Sequence, residues 1–367
     1  MIVPGRLKAI VPDLIPSPQD LLSRGIRGGN LPMRSSILAK STHTALRNGS
    51  TPAGLHLEIS KESLDLKILD LVVEKFNAGQ AAEGMSELLP PLQSQRLNAT
   101  ELAWAQFRQC CLHHPLRALL HQDPFTLRAF TKPRGYAGDA PLLDFIYGRE
   151  EGWPVPEGTS DLGRKIFAFT TASSSCEAVR ARRGFIAHAI DNLVEEIPQA
   201  HILALAAGHL REALLCAAVK RRQFGRYVAF DSDLQSLEEA RHCYGRYGIE
   251  TVSGTIRQLF RQHHDLDGFD LVYSMGLLDY LSISTARRLA WAMFQMLRSR
   301  GRLLVANFLP GILDIGYMEI FMDWKLIFRN RQEMLEISRD IPQKQIKDIR
   351  IFAEENQNII FLEVRKR

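Results

Sequence analysis

The residues through which this chain can do chemistry are an aspartate closing one apolar run, a lone glycine closing an earlier one, and a loop that crowds arginine, tyrosine and aspartate together. The run Tyr227-Val228-Ala229-Phe230 ends in Asp231. A carboxylate at the end of such a strand accepts hydrogen bonds from both hydroxyls of a ribose, its role in nucleoside-binding α/β folds. Asp233 is a second candidate, although its place suits a helix N-cap better. After His201-Ile202-Leu203-Ala204-Leu205-Ala206 come Ala207 and Gly208, where a missing Cβ lets the backbone approach a ligand. This turn has one glycine only and lacks the third glycine of a dinucleotide-binding loop. Thr255 and Ile256, after a third run, offer a backbone amide and an apolar side chain to an adenine ring. Ser274 and Met275 close a fourth run.

Upstream lies Lys132-Pro133-Arg134-Gly135-Tyr136-Ala137-Gly138-Asp139. Two glycines, a proline and three charges around a tyrosine do not build a core element, and loops of this composition commonly line sites. Arg134 has the fork that holds a carboxylate bidentately. Tyr136 has a ring face for a cation. Asp139 is either a proton acceptor or the cap of the helix that follows.

The elements that must position these residues alternate. From His201 onward, strands end at Ala206, Asp231, Ser253, Ser274 and Asn307. Helices are expected over Arg211 to Val219, through Leu237 and Ala240, and over Ser284 to Leu297. Repeated βα units of this length imply a doubly wound parallel sheet. The last two runs, Ile346 to Phe352 and Ile359 to Val364, are joined so closely that they must pair antiparallel. Before the sheet the pattern is helical. Leu64, Ile68, Leu71 and Val72 recur at helical spacing, Pro90-Pro91 is expected to break the chain, and Asn98 with Glu101 reads as a capping box. Trp104, Phe107 and Cys111 share the buried face of the next helix, and a further helix is expected from Ser174 to Glu196, passing Arg180, Arg182 and Arg183. These patterns divide the chain into an arm (residues 1–55), a helical lid or substrate domain (56–196) and an α/β domain (197–367).

Composition narrows the function. The 367 residues are 46% hydrophobic and 24% charged, as in a globular protein with a large core. No apolar run reaches the length of a membrane span, and the first residues lack a signal-peptide layout, so a cytoplasmic protein is expected. Net charge is +5, but the basic residues are scattered, which argues against nucleic acid and leaves a small molecule as partner. Five cysteines without CxxC spacing, and the pairs His113-His114 and His263-His264, make no metal site by themselves.

The terminal hairpin on a parallel sheet resembles class I S-adenosylmethionine-dependent methyltransferases. Ala206 to Glu212, Val228 to Leu237 and Tyr273 to Tyr280 are similar to cofactor motifs of one branch of that fold. The Lys132 to Asp139 signature resembles one found before such domains, in 3-hydroxypalmitate methyl ester biosynthesis methyltransferases and in cyclases that form azetidine-2-carboxylate. Tyr317, Glu319, Trp324 and Arg329 fit the same branch. The resemblance implies S-adenosyl-L-methionine as methyl donor or as substrate, with Ser274 and Met275 beside its sulfonium. One departure stands out: the carboxylate that many such enzymes carry on the first strand is Ala204 here. Two chemistries follow. In one, the sulfonium methyl moves to a carboxylate or amine acceptor, with Tyr136 and Phe308 facing the cation. In the other, the ligand's own amine closes a ring, with Tyr136, Asp139, Ser274 and Asn307 around it. A nonenzymatic nucleotide-binding protein is the reading from another class.

Overall fold

The computed structural model describes residues 66–261 and 266–367; the expected arm, Leu64 and the His263-His264 pair lie outside them. Among the described residues, eight helices precede the first strand. They are α1 (Lys67–Asn77), α2 (Ala81–Asn98), α3 (Glu101–His113), α4 (Leu116–Leu120), α5 (Pro124–Thr131), α6 (Ala140–Glu151), α7 (Asp161–Thr170) and α8 (Ser174–Glu196). Several begin where a side-chain oxygen can satisfy the first free amides: Thr100, Asp123, Asp139, Ser160 and Ser173 all cap in this way.

Three expectations for this region need correction. The prolines do not break the chain, because Pro90 and Pro91 both lie inside α2. Met85, Leu88, Leu89 and Leu92 are buried along its length; at about 1.5–3 kcal/mol each they contribute about 6–12 kcal/mol together, which offsets a penalty of about 3 kcal/mol or more for each of the two prolines. The cap before Glu101 is Thr100, whose Oγ1 accepts from Ala103 N–H at 3.2 Å, while Asn98 ends α2 and donates to Ser94 O. The buried face of α1 is Leu69, Val72 and Phe76, with Leu71 turned outward. Trp104, Phe107 and Cys111 are buried on α3 as expected.

The α/β part contains β1 (His201–Leu205), α9 (Ala217–Lys220), β2 (Arg226–Asp231), α10 (Leu234–Tyr244), β3 (Ile249–Ser253), α11 (Ile256–Leu259), β4 (Phe269–Ser274), α12 (Ile283–Gln295), β5 (Leu297–Phe308), α13 (Ile315–Phe321), α14 (Arg331–Ile337), β6 (Ile346–Ala353) and β7 (Ile359–Lys366). The strands form one seven-stranded sheet in the order β3-β2-β1-β4-β5-β7-β6. β1 to β5 are parallel, and β7 inserts antiparallel between β5 and β6, with Asn307 opposite Ile360. This is the sheet of the class I methyltransferase fold. Leu203, Val228, Val272, Leu303 and Val305 fill its middle and are wholly buried, as strands covered on both faces must be.

The helix expected over Arg211 to Val219 is split into a 3₁₀ turn, Arg211–Leu214, and α9. Asp191 on α8 causes the restart, accepting from Ala217 N–H at 3.0 Å and Ala218 N–H at 2.8 Å.

Candidate active site

The strand order reverses between β1 and β4, and the carboxyl ends of these strands open a crevice there. The turn leaving β1 has the backbone of a glycine-rich loop without its composition. Ala206, Gly208 and Leu210 all take left-handed conformations, with φ of 52°, 54° and 52°. Such a conformation costs a non-glycine residue about 1–2 kcal/mol. Ala207 N–H donates to Phe230 O at 3.2 Å. Asp231 fixes the rest: Oδ2 accepts from Gly208 N–H and Oδ1 from Asp233 N–H, both at 2.8 Å. A carboxylate has about four lone-pair positions, so Asp231 keeps acceptor capacity beyond these two amides, and 9% of its surface is exposed. Burial raises its pKa, and the amides of Asp233 and Gly208 oppose that rise.

The Lys132 to Asp139 loop lies over this turn. Lys132 ends α5 in a left-handed conformation and pairs with Asp323. Gly135 takes φ of 89°. A Cβ on Gly208 would come within 3.3 Å of Ala140 Cβ, so the start of α6 sits directly on the turn after β1. A Cβ on Gly138 would collide with Tyr280 Oη and approach Trp324 Cζ2 to 2.8 Å. Trp324 Nε1–H in turn donates to Tyr280 Oη at 2.8 Å. Tyr136 is 39% exposed. Burial and the charges of Asp231, Asp233 and Asp139 push its phenol above the ordinary value, so it stays protonated.

Several residues singled out from the sequence prove to have structural employment. Arg134 does not stand free to fork a carboxylate: its Nη1 donates to Asp233 Oδ2 at 2.7 Å and Ser236 Oγ at 2.9 Å, clamping the loop onto α10. Asp233 caps α10, accepting from Gln235 N–H. Burial would raise its pKa, but Ser236 and Arg134 hold it below the usual value. Asp139 is no open base, because it caps α6 through Leu142 N–H and is gripped by Arg128 in a fork of 2.8 and 2.7 Å. Asn307 donates to Phe308 O and Ile327 O and accepts from Arg329, so it fastens the loop after β5 rather than facing a ligand. The Thr255 amide is bound by Gln258 Oε1 in a capping box at the start of α11, which removes it as a donor to adenine. Ile256 packs against the sheet's core.

Ser274 differs from these. It ends β4 wholly buried, and among the described residues its Oγ has no hydrogen-bond partner. Arg182 on α8 donates to Met275 O beside it. Asp279, just beyond, accepts from Phe308 N–H at 2.8 Å, and burial pushes its carboxyl up to about 6. Ala204 lies in the middle of β1, wholly buried.

A buried polar network ties α6 to the crevice. Arg211 forks Asp144 at 2.8 and 2.8 Å and reaches Glu239 at 2.9 Å, and His209 Nδ1 lies 2.8 Å from Asp144. Burial would raise the Asp144 pKa, but His209 and Arg211 outweigh it and hold the carboxyl well below its ordinary range. Sequence reasoning passed over these residues and Arg182. The available signal was Arg180, Arg182 and Arg183 close together in one expected helix; all three are buried.

Among the described residues, no group of three His, Cys, Asp or Glu is placed to hold a metal ion, and no helix is long and apolar enough to cross a membrane. His113 Nδ1 bonds Gln109 O, whereas His114 Nε2 faces Asp70.

No protein-family profile matches the chain, and no curated protein is similar to it. Solved structures do share parts of the architecture. An exported-protein candidate from Bordetella parapertussis aligns over 62% of this chain and 79% of its own, at 17% identity and a TM-score of 0.49. A candidate O-methyltransferase from Nostoc punctiforme aligns over 68% and 72%, at 15% identity and a TM-score of 0.41. The CurJ carbon methyltransferase aligns over 62% and 66%, at 14% identity and a TM-score of 0.43. The fold assignment rests on the strand order and the antiparallel β7.

Proposed function

We propose that this chain is an S-adenosyl-L-methionine-dependent methyltransferase acting on a small molecule of secondary or signal metabolism, with a carboxylate or amine as methyl acceptor. Asp231 carries the reading: it is held by loop amides and keeps acceptor positions open at the switch point. Those positions suit the two hydroxyls of a ribose. Gly208 keeps the turn open to the ligand backbone, Ile256 offers apolar surface to adenine, and the unpartnered Ser274 hydroxyl suits the polar end of the methionyl chain. When bound, the cofactor supplies an electrophilic methyl group on a sulfonium. The protein's part is alignment and exclusion of water. Tyr136, together with Phe308, presents a ring face to the positive charge, and the helices α1 to α8 act as the lid.

A second reading is favoured by Ala204 and Ser274 together. With an alanine where a carboxylate would hold the methionyl ammonium, and a free hydroxyl nearby, the amine is left available to attack the γ-carbon of its own chain. That step forms a C–N bond, breaks the C–S bond, and releases azetidine-2-carboxylate, 5′-methylthioadenosine and a proton. Incubation of the full chain with S-adenosylmethionine alone, read by mass spectrometry, separates the readings. Both products together identify the cyclase; binding of intact cofactor without them favours the transferase; absence of binding rejects both.

A further inference from the structure

An apolar cavity lies beside the crevice, between the helical layer and the end of β5. Leu89, Phe125, Ile146 and Val179 line it on one side, and Phe308 and Trp324 close it toward the segment after β4. The cavity volume that a water-sized sphere can occupy is about 40 Å³, room for a slender body only. Trp324 links the cavity to the site already described, through its bond to Tyr280.

One charged group stands in this lining. Asp314 is 7% exposed and occupies the N-cap position of α13, yet its side chain caps nothing there. It turns instead toward the start of α8, where Ser175 Oγ–H donates to Oδ2 and Ser173 Oγ lies 3.0 Å from Ser175 Oγ. The contrast with Asp123, equally buried nearby, is informative. Asp123 accepts from Phe125 N–H, Thr126 N–H, Thr126 Oγ and Thr170 Oγ, so its capacity is filled. Asp314 has hydroxyls alone for company, and among the described residues it forms no ion pair. A carboxylate in an apolar cavity is costly unless a counter-charge meets it or a proton neutralises it. A ligand that brings a positive charge supplies what this carboxylate lacks, whereas a ligand carboxylate would place two anions in one apolar space.

We propose that this cavity is the acceptor pocket and that it takes an amine on a slender apolar body, with Asp314 pairing with the ammonium group and accepting its proton. In that transfer an N–H bond breaks and an O–H bond forms on Asp314, and the nitrogen keeps the electron pair. That pair is the nucleophile a sulfonium methyl requires. Burial raises the Asp314 pKa from its ordinary value, with Ser175 and Ser173 opposing, which makes it the stronger base. The pocket's preference for amines is a binding property of this chain; its use as acceptor pocket rests on the transferase reading above.

The test uses the full chain and three probes with the same body: hexylamine, hexanoate and hexanol, titrated calorimetrically without cofactor. Hexylamine is expected to bind at least about tenfold more tightly than hexanoate, and Asp314→Asn to bring the two within about twofold, as a lost buried ion pair requires. Equal binding of all three by the unaltered chain, or tighter binding of hexanoate, overturns the proposal without need of a variant. An amine preference that survives Asp314→Asn overturns the role of Asp314. S-adenosylhomocysteine is titrated separately: a chain that binds it without preferring the amine keeps the transferase reading and loses this one. A chain that prefers the amine but binds no S-adenosylhomocysteine keeps the pocket and loses the transferase.

Discussion

On the ribose reading, replacing Asp231 by alanine removes four interactions at once, and they divide between stability and binding. Two are the loop bonds to Gly208 and Asp233, each 2.8 Å. As bonds to a charged group they are worth about 1.5–3 kcal/mol each, about 3–6 kcal/mol together, or a melting point lower by about 4–10 °C in a chain of this length. The other two are the bonds to ribose hydroxyls. Hydrogen bonds to a charged group contribute about 1.5–3 kcal/mol each, so their loss is worth about 3–6 kcal/mol, or a dissociation constant raised about 10²–10⁴-fold. The assay is calorimetric titration of S-adenosylhomocysteine into Asp231→Ala, with circular dichroism to verify the fold. Asp233→Ala is the control. Its carboxylate is turned to Gln235, Ser236 and Arg134, so the affinity falls by no more than about tenfold, the worth of one partly exposed ion pair. A folded Asp231→Ala protein that binds within about threefold of the unaltered chain refutes the ribose assignment.

Other perturbations read other parts of the site. Ser274→Ala removes a buried hydroxyl with no partner among the described residues, so the melting point holds or rises, while S-adenosylhomocysteine affinity falls about fivefold for one lost neutral hydrogen bond; a fall in both would point to packing instead. Gly138→Ala drives a Cβ into Tyr280 and Trp324, and differential scanning calorimetry is expected to find a loss of about 1–3 kcal/mol from overpacking. Asp144 has a folded pKa below its ordinary 3.8, so its network contributes full stability above that value and loses it as pH falls through the folded value. Urea midpoints of Asp144→Asn therefore fall short of the unaltered chain by a constant amount above about pH 5, and the gap narrows below about pH 4; a gap that widens on acidification contradicts the assignment.

The strands were legible because burial on both faces leaves long apolar runs, and β4 falls on the predicted Phe269 to Ser274. So was the hairpin, whose short polar turn permits antiparallel pairing alone. The helical layer was less so. Pro90-Pro91 reads as a break by local propensity, and only tertiary burial of Met85, Leu88, Leu89 and Leu92 keeps α2 whole. The turn after β1 was obscured by composition: Ala206 and Leu210 hold the conformations that glycines hold elsewhere, and no propensity shows that in advance. The Asp144, His209, Arg211 and Glu239 network joins residues from two parts of the chain, 28 to 67 positions from Arg211 for its two carboxylates, so no local pattern contains it.

Residue type alone nominated Arg134, Asp139, Asn307 and Thr255 for chemistry, and each is instead held by a neighbour that uses its polarity for the fold. The reason is general. A buried polar group must be satisfied, and loops around a site contain many free backbone amides and carbonyls that polar side chains serve first. Chemistry then falls to the groups whose capacity the fold leaves open. By that test Asp231 has acceptor capacity left open, Ser274 has a hydroxyl with no partner among the described residues, and Asp314 has a carboxylate with hydroxyls but no cation beside it. These three lie along the carboxyl ends of β2, β4 and β5, where a nucleoside, a charged tail and an acceptor would follow one another. The clamped residues set the frame: Arg134 and Asp139 hold the upstream loop down on α10 and α6, and Asn307 and Arg329 hold the loop after β5. Loosening the frame is therefore expected to weaken every ligand alike, whereas changing one of the three open groups alters the response to one ligand alone.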